Sequence, residues 1–163
     1  LIRARFEQRL RDEDVNPALV AAVRAALIAP ARADRLIGQI RSCFDAGGQQ
    51  FADLAEALQR IMRILPADAP DDFDRARLVD DAEITLSTIL DGIPATTDLP
   101  GWISTGYPLV EPLRRFFDDV LVMTENLDLR AARLGLLNTV LRQAPSEIDW
   151  RDVHLLRQRS AQI

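Results

Sequence analysis

The chain has 163 residues, 48% hydrophobic and 28% charged, with a formal net charge of −5. That length suits one domain, 1–163, able to bury about 70% of its unfolded surface. One Cys and one His supply neither an internal disulfide nor a zinc site, and no apolar run reaches the roughly 18 residues of a membrane span.

Ile2, Phe6 and Leu10 make a first helical stripe, closed by Asp12-Glu13-Asp14. Asn16-Pro17 reads as a cap followed by proline in the first turn. Leu19, Val20, Val23 and Leu27 carry the second stripe, which Pro30 ends. A third helix is predicted from about Arg32 to Ala46, with Leu36, Ile37, Ile40, Cys43 and Phe44 inward, and Gly47-Gly48 stops it. The fourth, about Phe51 to Leu65, turns Phe51, Leu54, Ala55, Leu58, Met62 and Leu65 inward. Asp53, Glu56, Arg60 and Arg63 lie opposite. Pro66 to Asp72 is an acidic loop. The fifth helix, about Phe73 to Asp91, places Leu78, Val79, Ala82, Leu86, Ile89 and Leu90 on one side.

Gly92 to Tyr107 is expected to be a loop with one short turn from Asp98, Trp102 packed down. From Pro108 onward, Leu109, Leu113, Phe116, Phe117, Val120 and Met123 form one stripe; Leu129, Ala132, Leu136, Leu137, Val140 and Leu141 form another. Thr124 to Leu127 leaves room only for a tight reversal, with Asn126 as N-cap and Asp128 at the positive helix start. This predicts an antiparallel helical hairpin over about 108–123 and 127–143, its stripes facing each other. A last helix carries Val153, Leu155 and Leu156. The fold class is all-α: a single bundle of seven or eight helices around that central hairpin.

Chemistry for catalysis is missing from the pattern. There is no phosphate-binding glycine loop and no nucleophile motif, and the acids lack ligand spacing. No catalytic, cofactor or metal residue is therefore assigned. His154 is read as surface filler and Cys43 as core. All twenty basic residues are Arg, which a GC-rich genome explains. The net negative field opposes a polyanion, so any nucleic-acid contact must be a local Arg patch.

Three stretches look familiar. Phe116-Phe117-Asp118-Asp119-Val120-Leu121-Val122-Met123, followed by Arg130-Ala131-Ala132-Arg133-Leu134-Gly135-Leu136-Leu137, resembles the C-terminal anticodon-binding region of the bacterial glycyl-tRNA synthetase beta subunit. That region belongs to a helical class shared with the arginyl enzyme. The run Phe51 to Leu65 resembles the same family, as does Ala82-Glu83-x-x-Leu86. Departures are Gln59 for a family Lys, Arg63 for an Asn, Ala132 for an Asn, and Arg114-Arg115 for an Asp and a small residue. The resemblance implies a domain excised from a longer chain, consistent with a first residue that is Leu. Its partners would be glycine tRNA and, through the rest of the beta subunit, the alpha subunit, with neither membrane nor DNA. ATP and Mg would be used by the parent ligase's catalytic subunit in the cytoplasm, with no cofactor in this stretch.

Arg60, Arg63, Arg114, Arg115 and Arg130 are the candidates for RNA contact. Arg60 and Arg63 lie at the outward end of the fourth helix, where Glu56 offers Arg60 an ordinary surface ion pair instead. Arg133 falls near the middle of its stripe, so its guanidinium must meet a carboxylate, Asp119 or Glu83. Trp102, Tyr107 and Trp150 could stack unpaired bases but are expected in the core. Glycine codons begin with two guanines, so the anticodon ends in two cytosines, whose amino groups need an acceptor such as Asp or Glu. A helical subunit-docking module, its RNA role weak or lost, is the alternative. A continuous basic open face at Arg60/Arg63 would favour the first reading, an exposed apolar patch the second.

Overall fold

The computed structural model describes residues 1–46, 48–96, 98–151, 153 and 156. Among them are eight α-helices and three short 3-10 turns, with no strand. Helix α1 spans Ile2–Asp12 and buries Phe6 and Leu10. The Asn16 side chain accepts from the N–H of Ala18 to start α2, Pro17–Ala22. The second stripe keeps its burial but changes geometry: a 3-10 turn, Arg24–Ile28, follows α2, and Val23 and Leu27 are fully enclosed. Helix α3, Pro30–Asp45, begins on the proline expected only to end its predecessor, because proline at the first position lacks an N–H that would have had no partner. Gly48, at φ +30°, leads into α4, Gln49–Ile64.

The fifth helix is shorter than its sequence suggests. Residues 66–80 form a loop with a 3-10 turn, Arg75–Arg77, and α5 runs Asp81–Asp91. A capping box sets that start: the Asp80 side chain takes the N–H of Glu83, and Glu83 reaches back to the N–H of Asp80. Val79 therefore lies before the helix and is exposed rather than inward. Conversely, the stretch read as loop contains a two-turn helix, α6, Leu99–Gly106, capped by Asp98 onto Gly101 N–H at 2.8 Å. It buries Trp102, which packs 5.4 Å from Trp150, itself 5.8 Å from Phe51.

After a 3-10 turn, Tyr107–Leu109, come α7, Val110–Asp119, and α8, Leu127–Gln143. Here the expected hairpin is corrected in two respects. Helix α7 ends at Asp119, so Val120 to Met123 are loop, with Val120 and Val122 buried and Met123 exposed. The two helices also find their main partners elsewhere: α7 packs on α5 and α4, and α8 on α4 and α5. Helix α4 is thus the central element. It touches α3, α6, α7 and α8, and its buried residues include Phe51, Leu54, Ala55, Leu58 and Ile61. The 66–73 loop is tied onto α8 by Asn138 Nδ2, which donates to Pro70 O at 2.9 Å. Of the last predicted helix, His154 and Leu155 lie outside the described residues, and Val153 and Leu156 are buried. No helix among the described residues is long and apolar enough to cross a membrane.

Candidate nucleic-acid interface

Helix α4 ends in Arg60 and Arg63, both exposed. The i, i+4 pair with Glu56 does not form. Instead the Arg60 guanidinium lies over the ring of Phe117 on α7, 4.4 Å from its centre. Neither Arg60 nor Arg63 forms an ion pair with any of the described residues. One turn before Phe117, the exposed Arg114 places Nη2 3.4 Å from Asp53 Oδ1 and Nη1 3.5 Å from Glu111. Arg60 and Arg114 are therefore brought to one cleft by the packing of α7 on α4, while Arg63 lies one turn beyond Arg60, outside that cleft.

Asp53 is the correction on this face. It was expected to point outward, yet it is buried at the α4–α7 junction, with Oδ1 accepting from Gln49 Nε2 at 2.7 Å. Gln59, likewise buried, donates to Arg151 O. Sequence reasoning missed Asp53 and Phe117 as site residues. The available signal was their spacing: Asp53, Glu56 and Arg60 share one helical face, and Arg114 and Phe117 are one turn apart.

The other arginines have different surroundings. Arg115 points to Asp119 at 3.4 Å, one turn on along α7. Arg130 is half-buried, and its Nε donates to Thr124 O at 2.7 Å, which closes the loop ahead of α8. Arg133 is buried. Its Nε donates to Glu83 Oε2 at 2.7 Å, Nη2 to Asp80 Oδ2 at 2.5 Å, and Nη1 to Leu121 O at 2.8 Å. Asp119 is not in that cluster. Burial on its own would push the Glu83 carboxyl up; the Arg133 guanidinium, with the N–H groups of Asp80 and Val79, outweighs it and holds the group below the usual carboxylate range.

Trp102 and Trp150 are enclosed in the core and Tyr107 is half-buried. Cys43 is half-buried rather than core, at an open groove with Phe51 and Ile103, and burial pushes its thiol up. Among the described residues no group of His, Cys, Asp or Glu is placed to hold a metal ion. Besides the arginine face, Val79, Ile84, Leu121, Met123 and Leu127 are large apolar side chains left exposed. Val79 and Leu121 flank the Arg133 cluster, one through its N–H on Glu83, the other through its carbonyl on Arg133.

Fold and site together define an all-helical module that presents an arginine-bearing cleft at the junction of two helices. No family model matches the chain. It is 33% identical over 151 residues to the glycine–tRNA ligase beta subunit of Anaeromyxobacter dehalogenans (strain 2CP-C), covering 85% of this chain and 20% of that protein. It is 30% identical over 159 residues to the glycine–tRNA ligase, chloroplastic/mitochondrial 2, of Arabidopsis thaliana, covering 91% of this chain and 14% of the relative. With the beta subunit of Acinetobacter baumannii (strain ATCC 17978) it shares 29% identity over 146 residues, 83% of this chain and 21% of the other. The chain is thus similar over most of its length to one part of these ligases, and it spans about a fifth or less of their length.

Proposed function

We propose that this chain is the anticodon-binding part of a glycyl-tRNA synthetase beta subunit, working in the cytoplasm beside an alpha subunit. Its task is recognition; glycine activation with ATP and Mg belongs to the partner subunit. The observation that carries this reading is the last two turns of α4: Arg60 and Arg63 are exposed without a carboxylate partner among the described residues, and Arg114 of α7 shares a cleft with Arg60. Sequence similarity to glycine–tRNA ligases supports the same reading. In a molecule of net charge −5, binding must rest on these few local cations.

The test is titration of the synthetase that carries this chain with a glycine-tRNA anticodon stem-loop at several salt concentrations. Each phosphate neutralised on a single strand contributes roughly −0.7 to the slope of log affinity against log salt. The double change Arg60→Ala, Arg63→Ala is expected to reduce the slope's magnitude by up to about 1.4, with the fold intact. Unchanged affinity and slope would remove this face from the RNA surface.

A docking role has its own support in the exposed Val79, Leu121, Met123 and Leu127. It predicts that Leu121→Asp detaches the chain's subunit from its partner in size-exclusion chromatography while stem-loop affinity is kept. Co-elution of the variant with its partner would count against it.

A further inference from the structure

The cleft between α4 and α7 has space of about 20 Å³, enough for one water-sized group, and Asp53, Glu56, Arg60, Arg114 and Phe117 line it. Asp53 is 8% exposed. Its Oδ1 is engaged by Gln49, while Oδ2 accepts no hydrogen bond from any described residue. Arg114, half exposed, lines the cleft and lies 3.4 Å from the same carboxylate and 3.5 Å from Glu111, with no formed hydrogen bond to either. A carboxylate oxygen without a hydrogen bond inside and a guanidinium held only by long ion pairs at the rim make an ordered acceptor–donor pair.

That order matches one nucleobase edge. Cytosine presents an amino donor next to two acceptors, its ring N3 and O2. Uracil reverses the first two positions and would set a carbonyl oxygen against the carboxylate. The amino group is about the size of the available space, while the ring stays at the mouth. There the Arg60 guanidinium, 4.4 Å from the centre of the Phe117 ring, offers a planar group on which a base can stack.

Resting on the anticodon-binding reading, we infer that the Asp53–Arg114 pair selects a cytosine of the anticodon: Asp53 accepts from the exocyclic amino group, Arg114 donates to the pyrimidine acceptors, and Arg60 on Phe117 is the stacking platform. Asp53 is then a specificity-determining residue and Arg63 a phosphate contact, so that with Arg60 stacked on a base the double change at Arg60 and Arg63 would lower the slope's magnitude by about 0.7, the lower part of the range given above.

The experiment measures binding of anticodon stem-loops by the synthetase that carries this chain, with cytosine or uracil at each of the two cytosine positions. The native protein is expected to bind the cytosine form roughly 10- to 100-fold more tightly at one position. Asp53→Asn should bring that ratio close to one, because an amide can donate to uracil as well as accept from cytosine. Arg114→Gln, at an exposed position, should weaken the cytosine form about tenfold without changing the melting temperature, and it serves if Asp53→Asn does not fold. A native cytosine preference that survives both substitutions overturns the inference and leaves the anticodon reading standing. Failure of the native protein to prefer the cognate stem-loop overturns both.

Discussion

Arg133 distributes its donors over three acceptors in two parts of the fold: the carboxylates of Asp80 and Glu83 at the start of α5, and the carbonyl of Leu121 after α7. Glu83 is fully buried, so removing the guanidinium would leave a desolvated carboxylate held only by backbone N–H groups. Arg133→Ala is expected to destabilise the protein by roughly 3–5 kcal/mol at pH 7 in urea unfolding. Arg130→Ala loses one hydrogen bond to a loop carbonyl and should cost about 1 kcal/mol. The penalty at Arg133 also depends on pH. In the native protein the Glu83 carboxyl is depressed, so its contribution is present above the unfolded pKa and lost as pH falls through the folded value. In the variant, burial dominates and raises the carboxyl, so stability is lost as pH rises instead. The difference between the two proteins should therefore shrink between pH 7 and pH 4. A gap independent of pH would show that Glu83 is not the group left uncompensated.

At the scale of elements, the close approach of the 66–73 loop to α8 is set by one missing side chain. A Cβ on Gly135 would stand 2.2 Å from Asp72 O and 3.1 Å from Phe73 Cβ, and backbone on both sides cannot yield cheaply. Gly135→Ala is expected to lower stability by about 1–3 kcal/mol or more, as overpacking does elsewhere. Gly38 is the control. It lies on the exposed side of α3 with nothing within 4 Å of an added Cβ, so Gly38→Ala should raise stability by roughly 0.5–1 kcal/mol. Thermal melts of the two variants should move in opposite directions; a shared sign would mean that the loop does not rest on α8 in solution.

For the whole molecule, on the anticodon-binding reading proposed above, sign and amount of charge would decide how RNA is approached. Three or four local arginines on an acidic body should give a salt slope of roughly −2 to −3 on the single-stranded loop. Raising monovalent salt from 50 to 200 mM is then expected to weaken stem-loop binding roughly 15- to 65-fold. A much steeper loss would point to a longer track of phosphates than the α4–α7 face can reach. On the inference drawn above, Asp53 beneath that face would give negative charge a second use, since a carboxylate that repels phosphate can still accept from a base.

The helical class, the cap of α2 at Asn16 and that of α8 at Asn126, and the burial of Phe51, Leu54, Ala55 and Leu58 on α4 and of Ala132, Leu136, Leu137 and Val140 on α8 were legible in the chain itself. Those features depend on contacts within a few residues, and the period of 3.6 records them. The tertiary structure alone decided where each stripe found its partner. The apolar stripe of α7 satisfied any apolar surface equally well in sequence, and α5 and α4 are what it meets. It also decided that Asp53 is enclosed, because α7 crosses the face that α4 by itself would have left to solvent. Likewise Arg133 could have met Asp119 or Glu83. Capping at Asp80 brings Glu83 into range, and the end of α7 at Asp119 leaves that carboxylate to Arg115. Local pattern sets which faces must be buried; only the packed chain determines which charges those faces enclose.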